Sequence, residues 1–182
     1  MKAKNVVARL KSHCGKTHHI GIERIFLVDN TQYGFVVACS SELVLIYVVH
    51  DFHPDGYQIL RISDITGVRH SASDRTVRKI LRVEGILDQV GLKHPINLQS
   101  WPSALRNLKA LGENVIVEGE ETGVDKFLIG KIIRINKKAI SMRHFDGTGK
   151  WDEELSYCPY EDITSVKFDC HYLKVFSRHL KT

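Results

Sequence analysis

Two stretches of this chain, residues 33–69 and 129–167, are similar to each other. Each begins with a glycine that follows an aromatic or apolar residue, at Gly34 and Gly130, and each ends on Asp-Ile-Thr-x-Val. The glycines are 96 positions apart and the closing signatures 98, so the second stretch carries two extra residues in its middle loop. Such an internal repeat predicts two similarly folded units, which constrains the architecture more than any other feature of the sequence.

The repeat divides the chain into residues 1–87, a linker at 88–99 and residues 100–182. Units of about 80–90 residues are long enough to bury a modest core of their own. Short runs of alternating apolar and polar residues predict about five strands in each unit. We therefore predict a mainly β fold with short helices.

Helices are predicted at the start of both units. Residues 3–13 have apolar side chains at helical spacing, and residues 100–111 begin with Ser-Trp-Pro, a sequence typical of a helix start. A further helix is predicted within residues 72–87, with Ser73 or Asp74 as its N-cap. For the C-terminal tail the pattern leaves a helix and an extended last strand open, and we expect a helix.

The net charge of +5 is concentrated in one segment. Residues 23–182 hold equal numbers of basic and acidic side chains, whereas the first 22 residues are basic and contain no acid. A short basic arm can contact a few phosphates, so nucleic acid is an alternative partner for this chain. The candidate residues for that contact are Lys2, Lys4, Arg9, Lys11 and Lys16.

Apolar runs and cysteines indicate the compartment. No run reaches the ~18 residues of a membrane span, and no apolar segment follows Lys2 and Lys4, so we expect neither a membrane partner nor a secretory signal. The cysteines are scattered and include no Cys-x-x-Cys pair. This pattern predicts reduced thiols and a cytoplasmic location.

The order of a short helix followed by five strongly bent strands resembles the Sm-like family and, more broadly, SH3-like small barrels. Gly130 and Gly34 match the glycine in the second strand of Sm-like domains, where the sheet bends sharply. The resemblance implies two tandem small barrels, each preceded by a helix. It also implies an RNA site built on an Asp-x-x-x-Asn loop and an Arg-Gly pair, of which Asn136 and Arg69 alone match here.

Two segments contain residues that can bind metals or transfer protons. The segment His13–His19 has one cysteine and three histidines, but its spacing does not complete a zinc site, and we expect exposed histidines and no metal. The loop His50–Asp55 offers two imidazoles and two carboxylates, which suit a metal-dependent enzyme. Asp, Pro and Gly also form loops, and the second copy lacks both histidines, so this enzyme is the second alternative. Gly147-x-Gly149-Lys150 lacks the length and helix context of a phosphate loop.

Aromatic residues in the second unit suggest a contact surface. Trp151, Tyr157 and Tyr160 are the candidate partner-binding residues. The alternative is that Trp151 and Trp101 fill barrel cores or the boundary between the two units. We predict a non-enzymatic interaction or adaptor module without a cofactor, whose partner is a protein or peptide. Nucleic-acid binding and oligomer formation stay open.

Overall fold

The computed structural model describes residues 3–26, 31–92, 95–120 and 126–181. Ten strands and four short helices make up this described part, which confirms the prediction of a mainly β fold with short helices. In chain order, the first half contains helix α1 (Ala3–His13), strands β1 (His19–Arg24), β2 (Gln32–Cys39), β3 (Leu43–His50) and β4 (His53–Arg61), a 3-10 turn (Ile62–Asp64), strand β5 (Ile65–Arg69) and helix α2 (Ala72–Val83).

The second half repeats this order, and most of its elements are shorter than their counterparts. It contains helix α3 (Trp101–Leu111), strands β6 (Val115–Gly119), β7 (Lys126–Ile135), β8 (Ala139–His144) and β9 (Ser156–Pro159), a 3-10 turn (Tyr160–Asp162), strand β10 (Ser165–Phe168) and helix α4 (His171–Ser177). The helix expected in the tail is therefore present. Trp151 lies outside β9: it makes one isolated bridge to Phe145, and residues 152–155 separate it from the strand.

All ten strands belong to one antiparallel sheet. Its order is β5-β1-β2-β3-β4-β10-β6-β7-β8-β9, so each half has its fifth strand beside its first, and β4 pairs with β10 where the halves meet. We call this β4–β10 pairing the seam. The sheet is not closed, and the prediction of two tandem small barrels is not confirmed. Hydrogen bonding across the seam joins strands that the prediction had placed in separate units.

The repeat is visible in the backbone. A Cβ on Gly34 would contact the Tyr47 carbonyl, and a Cβ on Gly130 would contact the Arg143 carbonyl, so each position excludes a side chain. Register shifts follow at corresponding places, between Val36 and Ala38 in the first half and between 132 and 134 in the second. Glycine therefore permits the same close strand approach and bend twice.

Local sequence signals account for the helix ends. Ser100 caps α3 by accepting a hydrogen bond from the Ser103 N–H, and Gly112 ends the helix at φ 71°. Helix α2 begins differently from the prediction: Ser71 is its N-cap, and the Ser71 N–H donates to the Asp74 carboxylate, which completes a capping box. Ser73 is therefore not the cap.

The core has one large cluster shared by both halves and one smaller cluster within each half. Trp101 is 7% exposed and lies in the shared cluster, as expected for a tryptophan at the boundary between units. Ile96 and Leu98, in the predicted linker, are also buried there. Burial of each such side chain stabilises the fold by roughly 1.5–3 kcal/mol, so the shared cluster binds the halves together.

The cysteines are unpaired, and the helices are short. All four cysteines lie in the described residues and are unpaired, and burial raises the pKa of Cys39 and Cys158 to about 11. A thiol with such a pKa is unreactive near neutral pH. Within the described ranges no helix combines the length and apolar character required to cross a membrane.

Candidate functional site

The basic residues of the first helix lie mainly on the surface. Val6 and Leu10 bury one face of α1 in the core, which leaves Arg9 and Lys11 exposed on the other side. Lys16, just after the helix, is exposed as well. Lys4 belongs to α1, and Lys2 lies outside the described residues. Three cations are thus available for an anionic partner at this end of the molecule.

Beside these cations lies a group of three imidazoles, which we call the histidine cluster: His13, His18 and His70. Their ring centroids are 5.1–5.3 Å apart, and the Nδ1 atoms of His13 and His18 are 3.1 Å apart. His70 Nδ1 donates to the His19 carbonyl at 2.9 Å. The expectation of exposed histidines was wrong, because His13 and His19 are buried and His18 is half-buried.

Burial and crowding make His13 and His18 hard to protonate. Burial lowers the pKa of both side chains, and repulsion from the neighbouring imidazoles and from Lys16 lowers it further. These two rings are therefore favoured in the neutral form at neutral pH. Among the described residues, no group of three or more His, Cys, Asp or Glu side chains is arranged to hold a metal ion.

A second polar group surrounds the buried Asp74. His19 Nδ1 lies 3.4 Å from one Asp74 oxygen, and Arg69 Nε lies 3.7 Å from the other. Arg69 also donates to the Tyr33 hydroxyl at 2.8 Å. Burial opposes ionisation of Asp74, but hydrogen bonds from Ser71 and the charge of Arg69 outweigh it and lower its pKa. A cleft of about 380 Å³ is lined by His19, Tyr33, Arg69 and Asp74 among others.

The loop His50–Asp55 contains the tight turn that joins β3 to β4. Asp51 and Phe52 both have positive φ, 45° and 63°, as the tight turn between β3 and β4 requires. The side chains of His50 and Asp51 are 82% and 90% exposed. Asp55 Oδ1 accepts from the His171 N–H at 2.9 Å and so caps helix α4. His50 and His53 are directly opposed in the β3–β4 pairing, and His50 Nε2 lies 3.6 Å from Asp51 Oδ2, whereas Asp55 is engaged at the start of α4.

The three aromatic candidates lie in two places. Tyr157 is 55% exposed on the sheet edge β9, and Tyr160 follows it in the 3-10 turn, where its hydroxyl donates to the Asn136 carbonyl at 2.9 Å. Trp151 stands apart from them. It packs edge-on against Phe145, and the Arg143 guanidinium lies 5.3 Å from its ring centroid.

Trp151 also lines a cleft of about 430 Å³ beside helix α4. The cleft has an apolar wall that includes Leu173 and a polar floor that includes Asn114 and Lys131. Sequence reasoning missed this floor, because Asn114 and Lys131 belong to no recognisable motif and come together only when β6 pairs with β7.

Strand β5 lies at one edge of the sheet and β9 at the other, and within the described residues each pairs with a neighbour on one side only. In the described part of the chain, β5 pairs with β1 alone and β9 pairs with β8 alone. Each edge strand therefore has one side on which backbone groups are not used by the sheet, which is the usual starting point for strand addition.

Comparison with known proteins adds no relative: no protein-family model, no curated protein and no solved structure matches this chain.

Proposed function

We propose that this protein is a non-enzymatic interaction module made of two Sm-like halves, and that its partner is a β-strand added to the open edge β9. The occupant of that edge is β5 of a second copy of the chain. The observation that supports this proposal is the repeated strand order, fifth-first-second-third-fourth, in both halves of the sheet. One copy of such an edge contact already exists within the chain, as the seam.

The seam provides a template for the contact between copies. In it, β4 and β10 pair in antiparallel register with Ile59 opposite Val166, and both side chains are fully buried. The two 3-10 turns that follow β4 and β9 are 98 positions apart, as are the Asp-Ile-Thr signatures. By this offset, Tyr157 corresponds to Ile59 and Val68 corresponds to Val166. The seam register thus predicts Tyr157 of one copy opposite Val68 of the next.

Exposure of apolar side chains agrees with this template. Leu155 and Tyr157 are 38% and 55% exposed, whereas the corresponding residues in the seam, Tyr57 and Ile59, are 6% and 0% exposed. An exposed aromatic residue on an unpaired edge strand is a typical anchor for strand addition. Pairing with a second copy would bury these two side chains as the seam buries their counterparts.

The charges near the two edges are complementary. Glu153 and Glu154 are exposed and directly precede β9. Helix α1, which packs against β5, presents Arg9 and Lys11. Opposite charges at the two ends favour head-to-tail association and disfavour the pairing of identical edges.

Sedimentation velocity over a range of concentrations tests the proposal. We expect the wild-type chain to self-associate and Tyr157→Lys to be monomeric, because a lysine on an edge strand opposes pairing. Tyr172→Lys is the matched control, since Tyr172 is 51% exposed on α4, away from β9. A wild-type chain that stays monomeric throughout, or a control that dissociates as fully as Tyr157→Lys, would overturn the proposal.

The register can be tested directly. The seam places Thr164 beside Arg61, with the Arg61 N–H donating to the Thr164 carbonyl. The corresponding residues in different copies are Thr66 and Pro159, although proline has no N–H, so this one hydrogen bond of the seam has no counterpart between copies. A Thr66→Cys, Pro159→Cys double variant should form a disulfide between copies under oxidising conditions, while each single variant should not yield the same linear series of cross-linked species.

A second candidate function is nucleic-acid binding through the basic N-terminal helix. It is favoured by the exposure of Arg9, Lys11 and Lys16 beside the histidine cluster. RNA affinity should be present at low salt and should fall when Lys2, Lys4 and these three residues are replaced by Ala. RNA affinity that is absent at low salt, or unchanged by those replacements, removes this candidate.

A further inference from the structure

Three polar residues, Asn114, Lys131 and Arg143, lie side by side across the second half of the sheet. Gly130 of β7 pairs with Val115 of β6 and His144 of β8. Asn114 precedes Val115, and Lys131 lies directly opposite Arg143. Because directly opposed residues point to the same face, these side chains share one face of the sheet.

The two cations of this row have no acidic partner among the described residues, although the Arg143 guanidinium lies 5.3 Å from the centroid of the Trp151 ring. Lys131 and Arg143 are both exposed, and within the described part of the chain neither forms an ion pair with an acid. Like charges directly opposed on neighbouring strands repel each other, which disfavours the pair in the absence of an anion. A bound anionic group would turn this repulsion into an attraction.

Asn114 supplies a second and independent observation. Its side chain is 9% exposed and lines the cleft of about 430 Å³ beside Trp151. The amide nitrogen donates to Ser177 Oγ at 2.8 Å, while Oδ1 is buried without a hydrogen-bond partner in the described structure. A buried acceptor left unpaired is destabilising, so a ligand that donates a hydrogen bond here would bind more tightly than one that cannot.

The rest of the cleft defines the shape of such a ligand. Trp151 forms an aromatic wall, and Leu173 and Leu180 add apolar surface. Of the two acids that line the cleft, Asp169 is paired with Lys174 at 2.8 Å. Glu113 adjoins Asn114 in sequence and provides a further acceptor. The volume lies in the range of small-ligand sites.

We propose that this cleft binds a nucleotide unit. Lys131 and Arg143 contact the phosphate, the base packs against Trp151, and a base amino group or ribose hydroxyl donates to Asn114 Oδ1. Cations beside an aromatic wall are the usual elements of single-strand recognition. The same chemistry can come from a free nucleotide or from one nucleotide of a single strand. The site uses none of the side chains assigned above to edge β9 or to the basic N-terminal helix, although Arg143 follows Met142, which pairs with Ser156 of β9.

Binding measurements on the full-length chain test this proposal. Adenosine 5′-monophosphate, a single-stranded oligoadenylate and inorganic phosphate are titrated separately at low salt. A Lys131→Gln, Arg143→Gln variant is compared with Lys79→Gln, Arg82→Gln, which removes the same charge from exposed positions on α2. We expect at least a tenfold loss of nucleotide and oligonucleotide affinity in the first variant and none in the second.

Salt dependence and the aromatic wall give further readouts. Loss of two phosphate contacts should reduce the salt slope for a single strand by about 1.4. A folded Trp151→Leu variant should bind both nucleotide ligands more weakly than the wild type does. If the monophosphate binds and the oligonucleotide does not, the ligand is a free nucleotide. If the oligonucleotide binds more tightly than the monophosphate, the ligand is a single strand.

Several outcomes would overturn the proposal. Equal losses in the two double variants would mean that general charge attraction accounts for binding. Inorganic phosphate that binds as tightly as the monophosphate would leave no role for the base. Unchanged nucleotide affinity in a folded Trp151→Leu variant would show that the base does not pack against Trp151. Because self-association is measured separately, failure here leaves the strand-pairing proposal intact.

Discussion

Arg24 of the first half donates to both carboxylate oxygens of Glu120 in the second half, forming a two-pronged ion pair between the halves. The Arg24 side chain is 1% exposed and that of Glu120 21%. Glu120 also accepts from the Thr164 hydroxyl at 2.6 Å, and Arg24 contacts the Thr164 carbonyl at 3.4 Å. The pair thus reinforces the seam at the start of β10.

Removal of Glu120 should destabilise the fold strongly. Glu120→Ala leaves the buried Arg24 guanidinium without its counterion, and breaking such a pair typically costs about 3–5 kcal/mol. Urea denaturation measures the change in the free energy of unfolding. Glu84→Ala, at an exposed position after α2, is the control and should change it little. A loss of the same size in both variants would contradict the importance of this ion pair.

Gly130 should not tolerate a side chain. Its φ is 147°, and a Cβ would collide with the Arg143 carbonyl, so Gly130→Ala should lower the free energy of unfolding by about 2 kcal/mol or more. Gly147→Ala is the matched control, because a Cβ there would meet no atom within 4 Å. Thermal unfolding of both variants checks this prediction. Equal stability would show that the bend does not depend on glycine.

Stability should decrease as the pH falls below about 6.5. The pKa values of His13, His18 and His19 are all lowered from 6.5 by burial first of all. Below pH 6.5 the unfolded chain therefore binds protons that the folded chain does not, which favours unfolding until the pH passes the lowered pKa values. Urea denaturation between about pH 7.5 and 5 measures the slope.

A double variant tests the source of that slope. His13→Gln, His18→Gln should flatten the dependence of stability on pH, since two of the responsible groups are gone. His171→Gln, at an exposed position, should leave the slope unchanged. A wild-type chain equally stable across this pH range would contradict the prediction.

Asp55 should contribute to stability through helix α4. Asp55→Ala removes the acceptor of the His171 N–H and should cost about 0.5–2 kcal/mol, as for other helix caps. His50→Ala, in the same loop, should have an effect within about 0.5 kcal/mol, because its side chain is 82% exposed. Chemical denaturation compares the two. A neutral Asp55→Ala variant would remove the capping role.

Local signals in the sequence were sufficient for the helices and the bends. Ser100 and Gly112 determined the limits of α3 because cap geometry depends on nearby residues alone. Gly34 and Gly130 marked the bends because a side chain cannot fit there. The exception was α2, where the capping box of Ser71 and Asp74 lay earlier than the predicted cap.

Long-range pairing was not predictable in the same way. Alternating apolar and polar residues indicated about five strands in each half, but the period of a strand does not specify which edge it joins. The seam was therefore missed. His70 likewise reaches the other two histidines only through the β1–β5 pairing. The proximity of His13 to His18 could have been inferred, because the chain turns between them at Gly15. Asn114 and Lys131 meet for the same kind of reason.

The seam also has an arithmetic consequence. Because both of its strands come from one polypeptide, that pairing is unimolecular and persists at any dilution. The covalent chain is then the smallest building block of any assembly, and each chain contributes two halves with unlike outer edges. A closed assembly made only from this protein must therefore contain an even number of halves.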